Sequence, residues 1–158
     1  MIIIEDTRQQ SGKHNQKQAY FAAHSIKVIR SKLPVGDYAN IKDLSVIVDT
    51  KKDIQEIISN VTKQHARFIA ECELAKESGI KLIVLIENKD GVSSISDLYK
   101  WYNYRKRYSP KATTGATLAK ILTGISINHG VTFEFCSPAE AGAKVIELLP
   151  EGSEKVDG

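Results

Sequence analysis

Short apolar runs separated by polar, glycine-containing stretches dominate the first fifty residues, and they read as strands. Met1 to Glu5 is such a run, Ser25 to Arg30 alternates apolar with polar side chains, and Leu33 to Tyr38 looks like a strand interrupted at Gly36. Leu44 to Thr50 is apolar and β-branched, the make-up of a buried strand. Between the first two runs, Thr7 to Asn15 is polar and contains Gly12, so a loop is expected, then a helix over Gln16 to His24. Beyond Thr50 the period lengthens. Ile54, Ile57, Ile58, Val61, His65, Phe68, Ile69 and Cys72 recur at helical spacing. They predict one long helix or two in succession, with His65 on the buried face and Gly79 as the stop. Ile80 to Ile86 is a strong central strand, Ser96 to Tyr108 and Thr114 to Asn128 are expected helices, and Val131 to Phe135 is a last strand. Pro138 opens a helix running to Leu149.

Strands clustered first and alternating with helices later imply an α/β fold, a mixed sheet covered by helices on both faces. Length adds that one domain suffices: residues 1–149, followed by a polar tail over 150–158. Composition excludes disordered and fibrous classes, since 42% of residues are apolar and 26% charged. No apolar run approaches the roughly 20 residues of a membrane span, and the N-terminus lacks the pattern of a signal peptide, so a cytoplasmic location is expected. Cys72 and Cys136 sit inside apolar patterns without metal-ligand spacing, which predicts buried free thiols.

Net charge is only +3, but its distribution changes the picture. Lys100 to Tyr108 interleaves Arg105, Lys106 and Arg107 with aromatic residues, and Lys111 and Lys120 follow. Clustered cations meet phosphates, and rings between them stack on bases or sugars. Trp101 is expected in the core or an interface. Lys13 and Lys17, after the first strand, are placed in a polar loop that DNA could touch.

The chemistry centres on Val35-Gly36-Asp37-Tyr38 and, twelve residues after Asp37, Val48-Asp49-Thr50-Lys51. On a strand, residues i and i+2 share a face, so Asp49 and Lys51 project together and Thr50 projects away. Gly36 permits a sharp turn that brings Asp37 beside them. Two carboxylates plus a backbone carbonyl, that of Thr50, suit Mg²⁺ or Mn²⁺, which prefer oxygen ligands. A metal so held activates water against a phosphodiester, and a lysine stabilises the charge that develops. Zinc is disfavoured for want of a Cys/His quartet.

These motifs have neighbours in a fixed order: Ile2 to Gln9 (IIIEDTRQ), Leu33 to Tyr38 (LPVGDY), Val46 to Lys51 (VIVDTK), His65 to Glu71 (HARFIAE) and Leu82 to Glu87 (LIVLIE). Together they resemble the XPF-type nuclease domain of the restriction-endonuclease-like PD-(D/E)XK superfamily, in its stand-alone bacterial or phage-like form. The resemblance implies a metal-dependent endonuclease, selective for flap, fork or branched DNA, acting as a homodimer or with a DNA-binding partner protein. Asp37 and Asp49 would be metal ligands, Lys51 the catalytic lysine, and Asp6 an additional acid at the metal site. Arg8 and Arg67 would be cations beside it, serving catalysis and DNA binding together with Lys13, Arg105, Lys106 and Arg107. The structural alternative pairs Arg8 with Asp6 and Arg67 with Glu71 as salt bridges. Gln9 stands where the family has an acid, Thr50 where it has arginine, and Asp49 where it has glutamate. Two other readings fit the same residues: a non-catalytic DNA-binding or dimerisation module, and a restriction-type or junction-resolving nuclease.

Overall fold

The computed structural model describes residues 1–9 and 15–152. Lys13, one of the candidate DNA contacts, and most of the polar tail lie outside them. Among the described residues six strands form one sheet: β1 (Ile2–Glu5), β2 (Lys27–Arg30), β3 (Tyr38–Asn40), β4 (Asp43–Lys51), β5 (Lys81–Glu87) and β6 (Thr132–Cys136), in the order β2-β1-β3-β4-β5-β6. β3 is antiparallel to both its neighbours, and every other pairing is parallel. Consequently β1, β4 and β5 all run the same way, and their carboxyl ends meet the start of β3 along one edge. That edge is where the acidic motifs lie.

Helices cover both faces. On one lie α2 (Ile54–Val61), α3 (His65–Glu77) and α4 (Gly115–His129), on the other α1 (Asn15–Ala23) and α5 (Ala141–Leu148). The larger core takes Ile47, Val84 and Ile86 from the sheet with Ile57, Phe68 and Leu122 from helices. Its counterpart takes Val48, Ile83 and Leu85 with Phe21 and Val145. Adjacent residues of β4 and β5 thus go to opposite cores, as strand alternation requires. No helix is long and apolar enough to cross a membrane among the described residues. The fold is the restriction-endonuclease-like α/β arrangement anticipated from the sequence.

Local chemistry sets the element ends. Asp53 caps α2 by accepting from the Glu56 N–H at 2.8 Å, and the Thr62 hydroxyl closes it on the Ile58 carbonyl. The chain then turns before α3 begins. His65, the first residue of α3, stands exposed at the helix end and not in the core as the spacing predicts, whereas Phe68 and Cys72 farther along the same face are buried. Leu118, Leu122 and Ile125 point the apolar stripe of α4 into the larger core. Cys72 and Cys136 are buried free thiols, their pKa values pushed up to about 12 by burial.

Two predicted elements differ from expectation. Leu33 to Asp37 is an irregular turn, with strand beginning only at Tyr38. Gly36 takes φ +69°, outside β geometry, and a Cβ there would sit 2.6 Å from Ile47 Cγ2. Ser96 to Tyr108 is not one helix but two short 3₁₀ turns, Ile95–Lys100 and Tyr104–Arg107, with extended backbone between them. Asn103 intervenes, its side chain bonded to the Arg105 N–H and the Thr113 carbonyl. At the chain's other end, Pro150 is held to the sheet, its carbonyl accepting from Asn40 Nδ2 at 2.8 Å.

Candidate active site

Asp37 is stitched between two strands. Its N–H donates to the Val48 carbonyl of β4 (2.9 Å), and its carbonyl accepts from the Asp6 N–H beyond β1 (2.8 Å). Its Oδ2 accepts from both the N–H (2.7 Å) and the hydroxyl (2.9 Å) of Thr50. Alternation points the Thr50 side chain away from Asp49 and Lys51 and leaves only its carbonyl for the site, yet its hydroxyl and N–H anchor the first acid. The Gly36 turn makes this possible by folding Asp37 back against the end of β4.

Asp49 shares the cleft with that carboxylate, close enough to be repelled by its charge. It is buried, and its Oδ2 finds no hydrogen-bond donor, although the Lys51 ammonium stands 3.0 Å away. The ion pair offsets the charge without hydrogen-bond geometry, so the buried acceptor lacks a directed donor. Burial, then repulsion from Asp37, outweighs the attraction of Lys51 and pushes the Asp49 pKa up to about 7. Burial pulls the Lys51 ammonium down, but Asp49, Glu56 and Glu71 more than compensate, so its pKa is raised. Glu71, from α3, is raised by burial and by Asp49, and accepts weakly from the Gly36 N–H.

These residues line a cleft of about 490 Å³ with Asp6, Arg8, Lys17, Lys52, Glu56 and Glu87. A larger hollow of about 740 Å³ lies near Tyr20 and Lys144, but Lys89, Glu140 and Glu147 on its wall are exposed. Of these two, among the described residues, the smaller cleft joins buried acids, Asp49 and Glu87, to a buried ammonium, that of Lys17.

Asp6 faces the cleft with both oxygens engaged: Oδ1 accepts from the Leu33 N–H (2.7 Å), Oδ2 from Arg8 Nε (2.6 Å) and the Arg8 N–H. Burial raises its pKa, but Arg8 and the two amides outweigh that and hold it below the usual value. Arg8 also donates to the Leu33 carbonyl, so the pairing with Asp6 fastens the turn that precedes Gly36. Arg67 is exposed, makes no ion pair among the described residues, and borders a smaller hollow with Lys51 and Glu71. Arg105 shares another with Lys51, Lys52 and Glu56. Lys106 and Arg107 lie farther along the same loop, Lys106 bonded to the Pro110 carbonyl.

Sequence reasoning gave Lys17 both to the helix expected over Gln16 to His24 and to a polar loop that DNA could touch; it belongs to α1 and is buried. Its ammonium donates to Glu87 Oε2 at 2.7 Å, with both side chains less than a tenth exposed. The helical spacing to Phe21, four residues on and also buried, was the available signal.

The site's chemistry fits a hard divalent cation: two adjacent carboxylates, one with an orphaned buried oxygen. Among the described residues no group of three or more Asp, Glu, His or Cys side chains is placed to hold a metal ion, so the side-chain ligands on offer here are the two carboxylates. A cation held by Asp37 and Asp49 would therefore keep positions free for water and phosphate oxygens.

The sequence matches the ERCC4 domain over residues 5–149. The chain belongs to the ERCC4 domain family. Two solved structures of XPF from Aeropyrum pernix share the fold of this ERCC4 domain. The first has TM-score 0.64 and 15% identity, covering 94% of this chain and 59% of that one. The second, a complex with DNA, has TM-score 0.61 and 17% identity, covering 93% and 62%. This chain thus spans less than two thirds of either relative. No curated protein matches it. The ERCC4 domain is the XPF-type nuclease domain, and its carboxyl-end edge here holds Asp37, Asp49 and Lys51 together.

Proposed function

We propose that the protein is a metal-dependent DNA endonuclease that hydrolyses phosphodiester bonds in flap, fork or otherwise branched duplexes. The observation that carries this reading is the buried Asp49 oxygen without a donor, set between a second carboxylate and an ammonium inside an ERCC4 domain. Asp37 and Asp49, with the Thr50 carbonyl, would hold Mg²⁺ or Mn²⁺, with Asp6 beside them. An ion there supplies Lewis-acid chemistry at the phosphate. The chain's own groups do the rest. Thr50 fixes the Asp37 carboxylate through two hydrogen bonds, so the ligand geometry is set before substrate arrives. Lys51, kept protonated by Asp49, Glu56 and Glu71, presents a fixed positive charge where the phosphate gains negative charge. Arg8, Arg67 and Arg105 flank the cleft and suit phosphates on either side of the scissile one. The DNA complex of an XPF relative supports DNA as the partner.

Labelled flap, fork and blunt duplex DNA incubated with Mg²⁺ or Mn²⁺ test this. Cleavage is expected on branched substrates, abolished by chelator and reduced at least a hundredfold in Lys51→Ala, the scale of losing one transition-state charge contact. Cleavage unchanged by Lys51→Ala or Asp49→Asn, or absent with both metals, would overturn the proposal.

A further inference from the structure

Four of the six tyrosines, Tyr99, Tyr102, Tyr104 and Tyr108, fall within ten residues. All are more than half exposed, Tyr108 at 83%. The stretch from Tyr99 to Lys111 also holds Lys100, Arg105, Lys106, Arg107 and Lys111 and no acid, so five of the chain's cations lie here. Against a net charge of +3, the remainder of the molecule is net −2.

This display is built on a fixed frame. Leu98, just before the first of these tyrosines, and Asn103, between Tyr102 and Tyr104 in the chain, are buried. Trp101 packs against the larger core and donates through Nε1 to Asp90 Oδ2 at 3.0 Å. Gly115, opening α4, lies so close beneath that a Cβ would fall 1.9 Å from the Leu98 carbonyl oxygen. The Asn103 Oδ1 accepts from Gln55 Nε2 at 2.9 Å, which ties the loop to the first turn of α2, four residues after Lys51. The patch therefore abuts the cleft, with Arg105 reaching the hollow that Lys51 and Lys52 also line.

Cations alone would serve a duplex, whose bases are stacked inside and offer no free face to a ring. Rings become useful where bases are unpaired. We propose that the surface from Tyr99 to Lys111 holds the single-stranded arm of a branched DNA, tyrosines stacking on its bases and cations following its phosphates. This deepens the nuclease reading by naming what distinguishes the substrate, and it rests on that reading for the site it serves.

Binding in EDTA, where nothing is cut, separates the two. Anisotropy of a labelled fork with a single-stranded arm is compared with that of a blunt duplex of equal length. Tyr104→Ala with Tyr108→Ala is expected to weaken fork binding at least fivefold and duplex binding less than twofold, since each stacked base contributes about 5- to 150-fold. Tyr104→Phe with Tyr108→Phe retains fork binding. Arg105→Ala with Arg107→Ala weakens both substrates and flattens their salt dependence. Single-stranded oligonucleotide should also quench Trp101, the chain's one tryptophan. Fork affinity unmoved by the alanine pair, or equal losses on fork and duplex, would overturn the assignment even if the protein cleaves DNA. Tyrosine-dependent fork binding without metal-dependent cleavage would overturn the nuclease reading alone.

Discussion

Replacing Asp49 by Asn should stabilise the metal-free protein, because the wild-type carboxyl is buried, close to a second carboxylate and short of a donor. Its folded-state pKa is raised, to about 7 from an ordinary 3.8. Between those values the folded chain keeps a proton that the unfolded chain has lost, so stability falls as pH rises through that window. Above pH 7 the penalty is fully present and amounts to at most about 4 kcal/mol. Asn resembles the protonated acid in shape and charge, so Asp49→Asn removes the penalty. Unfolding by urea in EDTA is expected to show the variant more stable by about 2–4 kcal/mol at pH 8 and equal to wild type near pH 4. In a melt the pH 8 difference corresponds to roughly 4–16 °C for a domain of this size. With saturating Mn²⁺ the order should reverse, since only the wild type gains the stabilisation of a bound ligand. A variant less stable than wild type at pH 8 in EDTA, or a difference independent of pH, would refute the reasoning.

Other outcomes follow from the same contacts. Lys17→Met leaves Glu87 buried without its partner and should cost about 3–5 kcal/mol in urea unfolding; adding Glu87→Gln should restore most of it. Gly36→Ala combines φ +69° with the contact to Ile47, so a loss of about 1–3 kcal/mol is expected, with weaker Mn²⁺ binding because Asp37 moves. Mn²⁺ affinity should rise about tenfold per pH unit up to about pH 7 and then level off, since Asp49 must lose its proton. Calorimetry in buffers of different ionisation enthalpy would detect the released proton, and an affinity flat between pH 5 and 7 would contradict the shift.

How far the sequence was legible depended on whether the signal was local. The β-branched apolar run Leu44 to Thr50 located β4, and alternation put Asp49 beside Lys51, because side-chain direction on a strand follows from spacing alone. The Gly36 turn was recognised as the device that folds Asp37 back, but Leu33 to Asp37 was read as strand. Apolar residues there serve the core from an irregular backbone, and periodicity does not distinguish the two over so few positions. The reading of Ser96 to Tyr108 as a helix failed where Asn103 satisfies its neighbours' backbone groups and competes with a continuing helix. The pairing of Lys17 was invisible for a different reason: its partner Glu87 lies seventy residues away. A buried ion pair of that span is a property of the tertiary fold. Conversely, Asp6 and Arg8 were expected at the site, and the structure adds that each already holds the turn that positions Asp37.

Manganese binding followed by electron paramagnetic resonance at pH 8 tests the central claim most directly. The account predicts one ion per chain in the wild type, lost in Asp37→Asn and in Asp49→Asn but retained in Lys51→Ala. A wild type that leaves the ion free in solution, or a doubly substituted Asp37→Asn, Asp49→Asn protein that binds it equally well, would contradict the account.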